Sequence, residues 1–275
     1  MTWPHLFQAL CVVVLAAAYA LHLRQVAPEE RRAALVDIAL VALGAWLAEE
    51  TSIVRYRVYG YPDWWWLKLD EVPILIVAIW PMVVLSARAV VSGLFPAAVG
   101  VRRALLVGLV VAVDASLVEV LAVRAGLWSW TLGGYLGVPI IGILGWSFYA
   151  AGMSWALDAS TRSRLPRWAT PLVALAITHA LLVAAWWALF KWVSVPLPLL
   201  SVYLFALAAF AGTFALLARP TRRIALAVAV PRVLAASVFV LLLVVRTAES
   251  GELDSFHWLH LAAVALLYVT AVRWR

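Results

Sequence analysis

Apolar runs of about twenty residues follow one another along the chain, separated by short stretches rich in arginine, glycine and proline. A run of this length is what an α-helix needs to cross the hydrocarbon core of a membrane. Nine runs are expected to span, at 5–23, 33–50, 71–90, 103–123, 138–157, 169–190, 196–218, 232–246 and 256–272. The pattern predicts an all-α, polytopic membrane helix bundle in a single transmembrane domain, 1–275.

Composition and charge agree with this interpretation. The chain is 66% hydrophobic and 13% charged, whereas a soluble globular domain is about 25% charged. With nine spans, fifteen of the 21 basic residues lie on one side of the membrane, which predicts an integral protein of the bacterial inner membrane with its amino terminus outside and its carboxyl terminus in the cytoplasm. The basic residues lie at helix ends and form no face or stripe, so nucleic-acid binding is not expected. The single cysteine, Cys11, excludes a disulfide framework.

A composite motif occurs twice. It consists of an acid, a base five residues later, two aromatic residues flanking one small residue, and a Val-Pro pair with Trp seven positions after the Pro. The first copy contains Glu50, Arg55, Tyr59, Tyr61, Val72-Pro73 and Trp80, and the second contains Glu119, Arg124, Trp128, Trp130, Val138-Pro139 and Trp146. Recurrence of this kind predicts an internal duplication. The expected repeats are two helix pairs, 33–90 and 103–157, followed by additional helices in 169–275.

The acids of this region are candidates for chemistry. Asp114 lies in the middle of a predicted span, where a charged side chain costs at least about 2.5–3.5 kcal/mol and is expected to face the protein interior. Asp114, Glu119 and Glu50 are therefore predicted as catalytic acids, since a buried carboxylic acid can protonate a weak base. A carboxyl that only hydrogen-bonds neighbouring helices is the alternative for Asp114. Glu49 and Asp37 are lesser candidates.

The repeated basic and aromatic residues have expected roles beside these acids. Arg55 and Arg124 are predicted either to orient the acid of the other repeat or to cap their own helix ends. The aromatic residues at fixed distances from the acids are predicted to bind substrate: Tyr59, Tyr61, Trp80, Trp128, Trp130 and Trp146. Electron-rich rings of this kind can stabilise a cation by up to about 2 kcal/mol when desolvated. A duplicated interfacial aromatic belt remains the alternative.

Several common sites are missing from the sequence. It contains no Asp-rich motifs that would hold magnesium and a diphosphate, no P-loop, no Rossmann glycine fingerprint and no histidine cluster. Neither a cofactor nor a metal is therefore predicted.

The segment from Glu119 to Trp146 resembles the carotenoid-biosynthesis membrane proteins that include the carotenoid 1,2-hydratase of the CruF type. Leu136-Gly137-Val138-Pro139 and Leu144-Gly145-Trp146 are the closest matches, and the resemblance covers about residues 45–157. Members of that family usually carry a polar residue, often Asn, two or three positions after the Pro, where this chain has Ile141 and Gly142. The acid-bearing helix pairs are also similar to small membrane lycopene cyclases and to membrane-bound meroterpenoid cyclases.

The resemblance implies an enzyme that acts on isoprenoid double bonds. A neutral buried acid would protonate a terminal double bond, and the resulting tertiary cation would either take up water, as in a hydratase, or be attacked by a neighbouring double bond, as in a cyclase. The expected partners are an apolar isoprenoid or carotenoid that enters from the bilayer, and membrane lipid. A proton-coupled transporter or lipid-binding protein and a structural factor remain alternatives from other classes.

Overall fold

The computed structural model describes residues 3–132, 137–190 and 223–250, together with the single positions 211, 262, 265, 272 and 273. The described part contains seven long helices. They are α1 (Trp3–Gln25), α2 (Arg31–Glu50), α3 (Ile74–Leu94), α4 (Gly100–Arg124), α5 (Ile140–Thr161), α6 (Thr170–Ala185) and α7 (Leu226–Ser250). Two short 3₁₀ helices, Pro28–Glu30 and Arg167–Ala169, precede α2 and α6. Two π-helical segments, Thr51–Arg55 and Trp186–Phe190, follow the same two helices.

Six segments are long and apolar enough to cross a membrane, as in an integral membrane protein: α1, α3, α4, α5, α7 and the segment Arg167–Ala188 that contains α6. Each of the first six predicted spans coincides with a helix, and 232–246 lies within α7. The spans predicted at 196–218 and 256–272 lie almost entirely outside the described residues. The helical membrane class is therefore confirmed, whereas the count of nine spans remains a prediction.

The two Val-Pro pairs mark helix starts, as the sequence predicted. Pro73 immediately precedes α3, and Pro139 immediately precedes α5, both with extended backbone angles. Proline cannot donate a backbone hydrogen bond, so it disrupts a helix interior but is tolerated where a helix begins. The same residue type therefore sets where both helices begin.

Small residues bring α4, α5 and α6 into close contact. A Cβ at Gly108 of α4 would lie 2.9 Å from the carbonyl oxygen of Ser147 in α5, and the Ser147 hydroxyl donates to the Gly108 carbonyl at 2.9 Å. On the other side of α5, a Cβ at Gly152 would lie 3.2 Å from the Ala174 carbonyl oxygen of α6. Membrane helices lack a hydrophobic driving force between them, so small residues and interhelical hydrogen bonds carry their association.

Two largely buried ionic groups tie helices together, and one of them contains Asp114, a predicted catalytic acid. Asp158 of α5 accepts from Arg88 of α3 at 2.9 Å and from Arg103 of α4 at 3.1 Å. Arg232 of α7 pairs with Asp114 of α4 and donates to Ser86 of α3 at 2.9 Å. Arg232 is the first residue of the predicted span 232–246, but α7 begins earlier, at Leu226, and buries this side chain.

Short strands cross one end of the bundle, where α2 and α4 finish; this end is called the strand end below. Strand β1 (Tyr59–Gly60) pairs antiparallel with β4 (Ser129–Trp130), so that Tyr59 lies opposite Trp130 and Gly60 opposite Ser129. Strands β2 (Lys68–Leu69) and β3 (Val72–Pro73) form a hairpin before α3. A parallel pair, β5 (Ile224–Ala225) with β6 (Val272–Arg273), lies elsewhere in the chain. The β1–β4 pairing joins the two copies of the sequence motif.

Candidate functional site

A cavity of about 540 Å³ opens inside the bundle at the strand end. Helices α2 to α6 and the β1 and β4 segments contribute to its walls, and most of the wall surface is apolar. Its volume lies in the range of about 300–1,000 Å³ that small-molecule sites occupy. Seven residues predicted from the sequence line it: Glu119, Tyr59, Tyr61, Trp80, Trp128, Trp130 and Trp146.

Glu119 projects into this cavity from the last turns of α4. Its side chain is 2% exposed, and its Oε2 accepts hydrogen bonds from the indole N–H groups of Trp128 at 2.9 Å and Trp130 at 3.1 Å. Trp146 of α5 is a further hydrogen-bonding neighbour of the carboxyl. An indole can only donate, so these rings hold the carboxyl oxygen as an acceptor and fix its direction.

Glu49, from the last turn of α2, is the second carboxyl in the cavity wall. It is 8% exposed. Its Oε2 accepts from the hydroxyl of Tyr61 at 2.9 Å and from the hydroxyl of Tyr59, and its Oε1 accepts from the indole of Trp80 at 2.9 Å. From the sequence, this residue is predicted only as a lesser candidate beside its neighbour Glu50.

The two carboxyls have matching surroundings. Each accepts from two aromatic residues that flank one small residue in the strand pair, and from one Trp of the following helix. Ten residues separate Glu49 from Tyr59, whereas nine separate Glu119 from Trp128. The π-helical segment Thr51–Arg55 explains the difference, because a π turn contains one more residue than an α turn. The sequence spacing therefore pointed to Glu50, one position from the carboxyl that occupies the site.

Glu50 does not line the cavity. Its Oε2 accepts from the backbone N–H of Glu71 at 3.4 Å, on the side that faces the β2–β3 hairpin. The geometry therefore corrects the choice of Glu50 as the first repeat's site acid in favour of Glu49.

Asp114 also lies outside the cavity wall. It pairs with Arg232, whose side chain is 6% exposed, and the pair links α4 to α7 at mid-helix depth. Its carboxyl has a cationic partner, in contrast to the neutral proton donor that the sequence predicted. The contact resembles the predicted alternative, a carboxyl that joins neighbouring helices, with an ion pair in place of a neutral hydrogen bond.

The two motif arginines occupy exposed helix ends. Arg55 ends the π-helical segment after α2, and Arg124 is the last residue of α4. The hydrogen bonds to Glu49 and Glu119 come from Tyr and Trp side chains. Of the two predicted roles, the capping of their own helices fits these positions, because cations are favoured at helix carboxyl ends.

Aromatic rings form much of the cavity wall in close mutual contact. The ring centroids of Tyr59 and Trp130 are 4.7 Å apart, those of Trp80 and Trp146 are 4.7 Å apart, and those of Trp80 and Tyr149 are 4.9 Å apart. Tyr149 was not anticipated from the sequence because the duplicated motif ends at Trp146. Its hydroxyl donates to the Val41 carbonyl at 2.6 Å, which holds α5 against α2.

Tyr59 and Tyr61 remain neutral hydrogen-bond donors over a wide pH range. Burial, followed by the proximity of Glu49, raises the pKa of Tyr59 and the pKa of Tyr61 well above the ordinary value of 10.0. Both effects disfavour the phenolate, because a buried anion loses solvation and a neighbouring carboxylate repels it. The hydroxyl groups that hold Glu49 therefore keep their protons.

A second depression of about 350 Å³ lies on the other side of the strand pair. Tyr61 and Trp128 contribute to the walls of both the depression and the main cavity. Their ring centroids are 6.0 Å apart, in an edge-to-face arrangement. These two rings therefore separate the cavity from the depression.

Helix α6 contributes to the cavity polar side chains that belong to neither copy of the duplicated motif. Thr178 and His179 line the cavity. The Thr178 hydroxyl donates to the Ala174 carbonyl at 2.7 Å, and Nδ1 of His179 lies 2.9 Å from the Leu175 carbonyl oxygen. A single histidine in an apolar predicted span gave no reason to expect a site residue there.

Within residues 3–132, 137–190 and 223–250, no group of three or more His, Cys, Asp or Glu side chains is arranged to hold a metal ion. Comparison of the chain with protein-family models, curated proteins and solved structures finds no match in any of the three. What the protein does is therefore inferred from its own residues.

Proposed function

We propose that this protein is a membrane-embedded, cofactor-independent enzyme that protonates a terminal double bond of an isoprenoid or carotenoid and adds water to it. One observation carries the proposal: two buried carboxyls face a single apolar cavity, and each is held by three aromatic donors. An apolar wall suits a hydrocarbon substrate, and a carboxylic acid is the group needed to protonate an alkene without a cofactor.

The first step is proton transfer from Glu119 to the terminal carbon of the double bond. Burying two negative charges in one apolar cavity is costly, so one of the two carboxyls carries a proton when the cavity is dry. Trp128 and Trp130 already donate to Oε2 of Glu119. The carboxylate left by proton transfer is therefore stabilised without rearrangement, as electrostatic preorganisation requires.

The second step is capture of the tertiary cation. Trp80, Trp146 and Tyr59 line the cavity, and electron-rich rings attract a desolvated cation by up to about 2 kcal/mol each. Glu49 supplies a counter-charge from the opposite repeat. Water that adds to the cation gives a tertiary alcohol.

A cyclase that uses the same protonation step is the alternative. The polar position expected from the resembled family is occupied here by Ile141 and Gly142, and both line the cavity. An apolar wall at that position favours attack by a neighbouring double bond over attack by water. The nature of the product distinguishes the two reactions.

The paired surroundings of Glu49 and Glu119 support an internal duplication of helix pairs, 33–90 and 103–157. An antiparallel strand pair has a local twofold axis between its central partners, here Gly60 and Ser129. We take this axis to relate the two repeats, and sites at repeat interfaces are common in membrane proteins.

Substrate reaches the cavity sideways from the bilayer of the bacterial inner membrane. Tyr56, Val183, Trp186 and Trp187 line the cavity and are also exposed. These residues follow α2 and end α6, so the passage lies between those helices. A long polyene could place one end beside Glu119 while the rest of the molecule extends into lipid.

Expression in a lycopene-producing host, followed by pigment mass spectrometry, tests the proposal. A mass gain of one water per converted end indicates hydration, and altered absorbance at unchanged mass indicates cyclisation. The Glu119→Gln variant is the matched control and should leave the pigment unchanged. If both the wild type and Glu119→Gln leave linear isoprenoids of several lengths unmodified, the enzymatic proposal is contradicted. That result favours a transporter or a structural factor.

A further inference from the structure

The imidazole of His179 has one ring nitrogen engaged by its own helix. Nδ1 lies 2.9 Å from the carbonyl oxygen of Leu175, one turn earlier in α6. A carbonyl oxygen can only accept, so Nδ1 carries the hydrogen and donates it. In the neutral ring, Nε2 is therefore left with a lone pair and acts as an acceptor.

Nε2 is buried and has no hydrogen-bond partner among the residues that the structure describes. Buried polar atoms in folded proteins almost always have a partner, and exceptions indicate a bound water, a ligand or a catalytic role. His179 lines the cavity that contains Glu49 and Glu119. The atom thus belongs to a site where a small hydroxyl compound could be its partner.

Five other hydroxyl groups in this wall donate to acceptors of the protein. Ser52 donates to the Ala48 carbonyl at 2.8 Å, Thr178 to the Ala174 carbonyl and Tyr149 to the Val41 carbonyl. The hydroxyls of Tyr59 and Tyr61 donate to Glu49. Among the described residues that line the cavity, His179 alone has a buried side-chain polar atom without a hydrogen-bond partner.

The ring of Tyr56 covers His179 from the mouth of the cavity. The two ring centroids are 5.5 Å apart, and the Tyr56 side chain is 47% exposed. A half-exposed side chain at the end of a π-helical segment can change rotamer without disturbing the core. Rotation of Tyr56 would open a space beside Nε2 for a water molecule.

We propose that His179 is the residue that binds and deprotonates the attacking water, an inference that rests on the proposed function. Glu119 gives its proton to the double bond, and the cation forms at the tertiary carbon. The water oxygen bonds to that carbon while one O–H bond breaks, and the released proton moves to Nε2. The imidazolium then returns this proton through cavity water to the Glu119 carboxylate, so that the net change is addition of one water.

The first test measures how the cation partitions between products in the lycopene-producing host. His179→Phe keeps a ring but removes both nitrogens, and it should lower the alcohol share relative to cyclised or rearranged olefin by roughly tenfold or more. His179→Gln retains an acceptor and should give an intermediate share. His22→Phe, a histidine replaced in α1 away from the cavity, is the control and should match the wild type. An unchanged product ratio in His179→Phe overturns the inference, because a merely structural role would lower the amount of protein and not the ratio.

The second test needs no turnover. A conjugated polyene bound to the purified protein should accept tryptophan excitation, and a tertiary isoprenoid alcohol should displace it better than the matching alkene does. His179→Phe should abolish that preference. If the wild type prefers the alcohol but forms no product in the host, the proposed function is overturned, while His179 remains a hydroxyl-binding residue. Product formation with equal preference in wild type and His179→Phe overturns the role of His179 alone.

Discussion

The indole of Trp130 occupies the space that a side chain at Gly142 would need. A Cβ built at Gly142 would lie 2.5 Å from Cζ2 and 2.7 Å from Cη2 of that ring. Because Trp130 also donates to Glu119 at 3.1 Å, the glycine in α5 lets one ring reach both the helix and the carboxyl. The absence of a side chain in α5 thus helps to determine the direction of an acid in α4.

Gly142→Ala is expected to displace Trp130 from Glu119. Overpacking of this kind costs about 1–3 kcal/mol, and the lost donor should lower product yield in the pigment assay more than it lowers protein level. Gly145→Ala is the matched control, because its Cβ would meet only Leu182 at 3.9 Å. Equal yields from the two variants would show that the contact between Gly142 and Trp130 does not affect activity.

Replacement of neighbouring acids should distinguish Glu49 from Glu50. Glu49→Gln leaves a side chain that still accepts hydrogen bonds but carries no charge, and it should lower turnover by about 10²–10³-fold because the cation loses its counter-charge. Glu50→Gln, outside the cavity, should retain wild-type turnover. The measurement is the rate of substrate consumption by membranes with equal amounts of protein. The opposite ranking would return the site acid to Glu50.

Asp114→Asn should act on stability and spare the chemistry. It leaves the buried Arg232 without its carboxylate partner, and breaking a buried pair costs about 3–5 kcal/mol. Thermal unfolding in detergent should show a marked fall in the melting temperature of Asp114→Asn. The double variant Asp114→Asn, Arg232→Met should recover much of that melting temperature. Loss of turnover in a variant of unchanged thermal stability would restore Asp114 as a proton donor.

Alkaline pH should weaken the fold through Tyr59. The pKa of this hydroxyl is raised in the folded protein, so its contribution to stability is fully present below about pH 10, the value in the unfolded chain. The contribution decreases as pH rises towards the folded-state pKa, because the unfolded tyrosine ionises first. Melting temperatures from pH 8 to 11 should therefore fall more steeply for wild type than for Tyr59→Phe. The exposed Tyr56→Phe serves as the control, and parallel curves for all three proteins would contradict the prediction.

Much of the helical framework could be predicted because its causes are local in the sequence. Apolar runs of membrane length coincide with the described helices, and Pro73 and Pro139 directly precede α3 and α5. The grouping of six repeated aromatic residues around one cavity also agrees with the motif spacing. In each case the determining signal lies within a few turns of chain.

The choice between Glu49 and Glu50 required information that spacing does not contain. Glu50 and Glu119 each lie five residues before an arginine, Arg55 and Arg124. The sequence alignment of the two repeats therefore paired these acids, as if both helices were regular α-helices throughout. The π-helical segment at Thr51–Arg55 adds one residue, and one residue is about 100° of helix rotation. The acid that faces the cavity is therefore the preceding one.

Contacts between distant segments account for the other differences. Asp114 and Arg232 are 118 positions apart, so no local pattern in the sequence pairs them. His179 belongs to a helix outside both motif copies, so no repeated pattern marked it. Such partners become visible only when helices from different parts of the chain are packed together.

A single shared chamber also limits how the protein could handle a symmetric polyene. Glu49 and Glu119 face the same 540 Å³ of space, so under the proposed function one molecule of the protein would accommodate one chain terminus at a time. A substrate with two reactive termini would have to dissociate, reverse and bind again. Singly converted pigment should therefore accumulate early in a time course and decline later, with doubly converted pigment following after a lag.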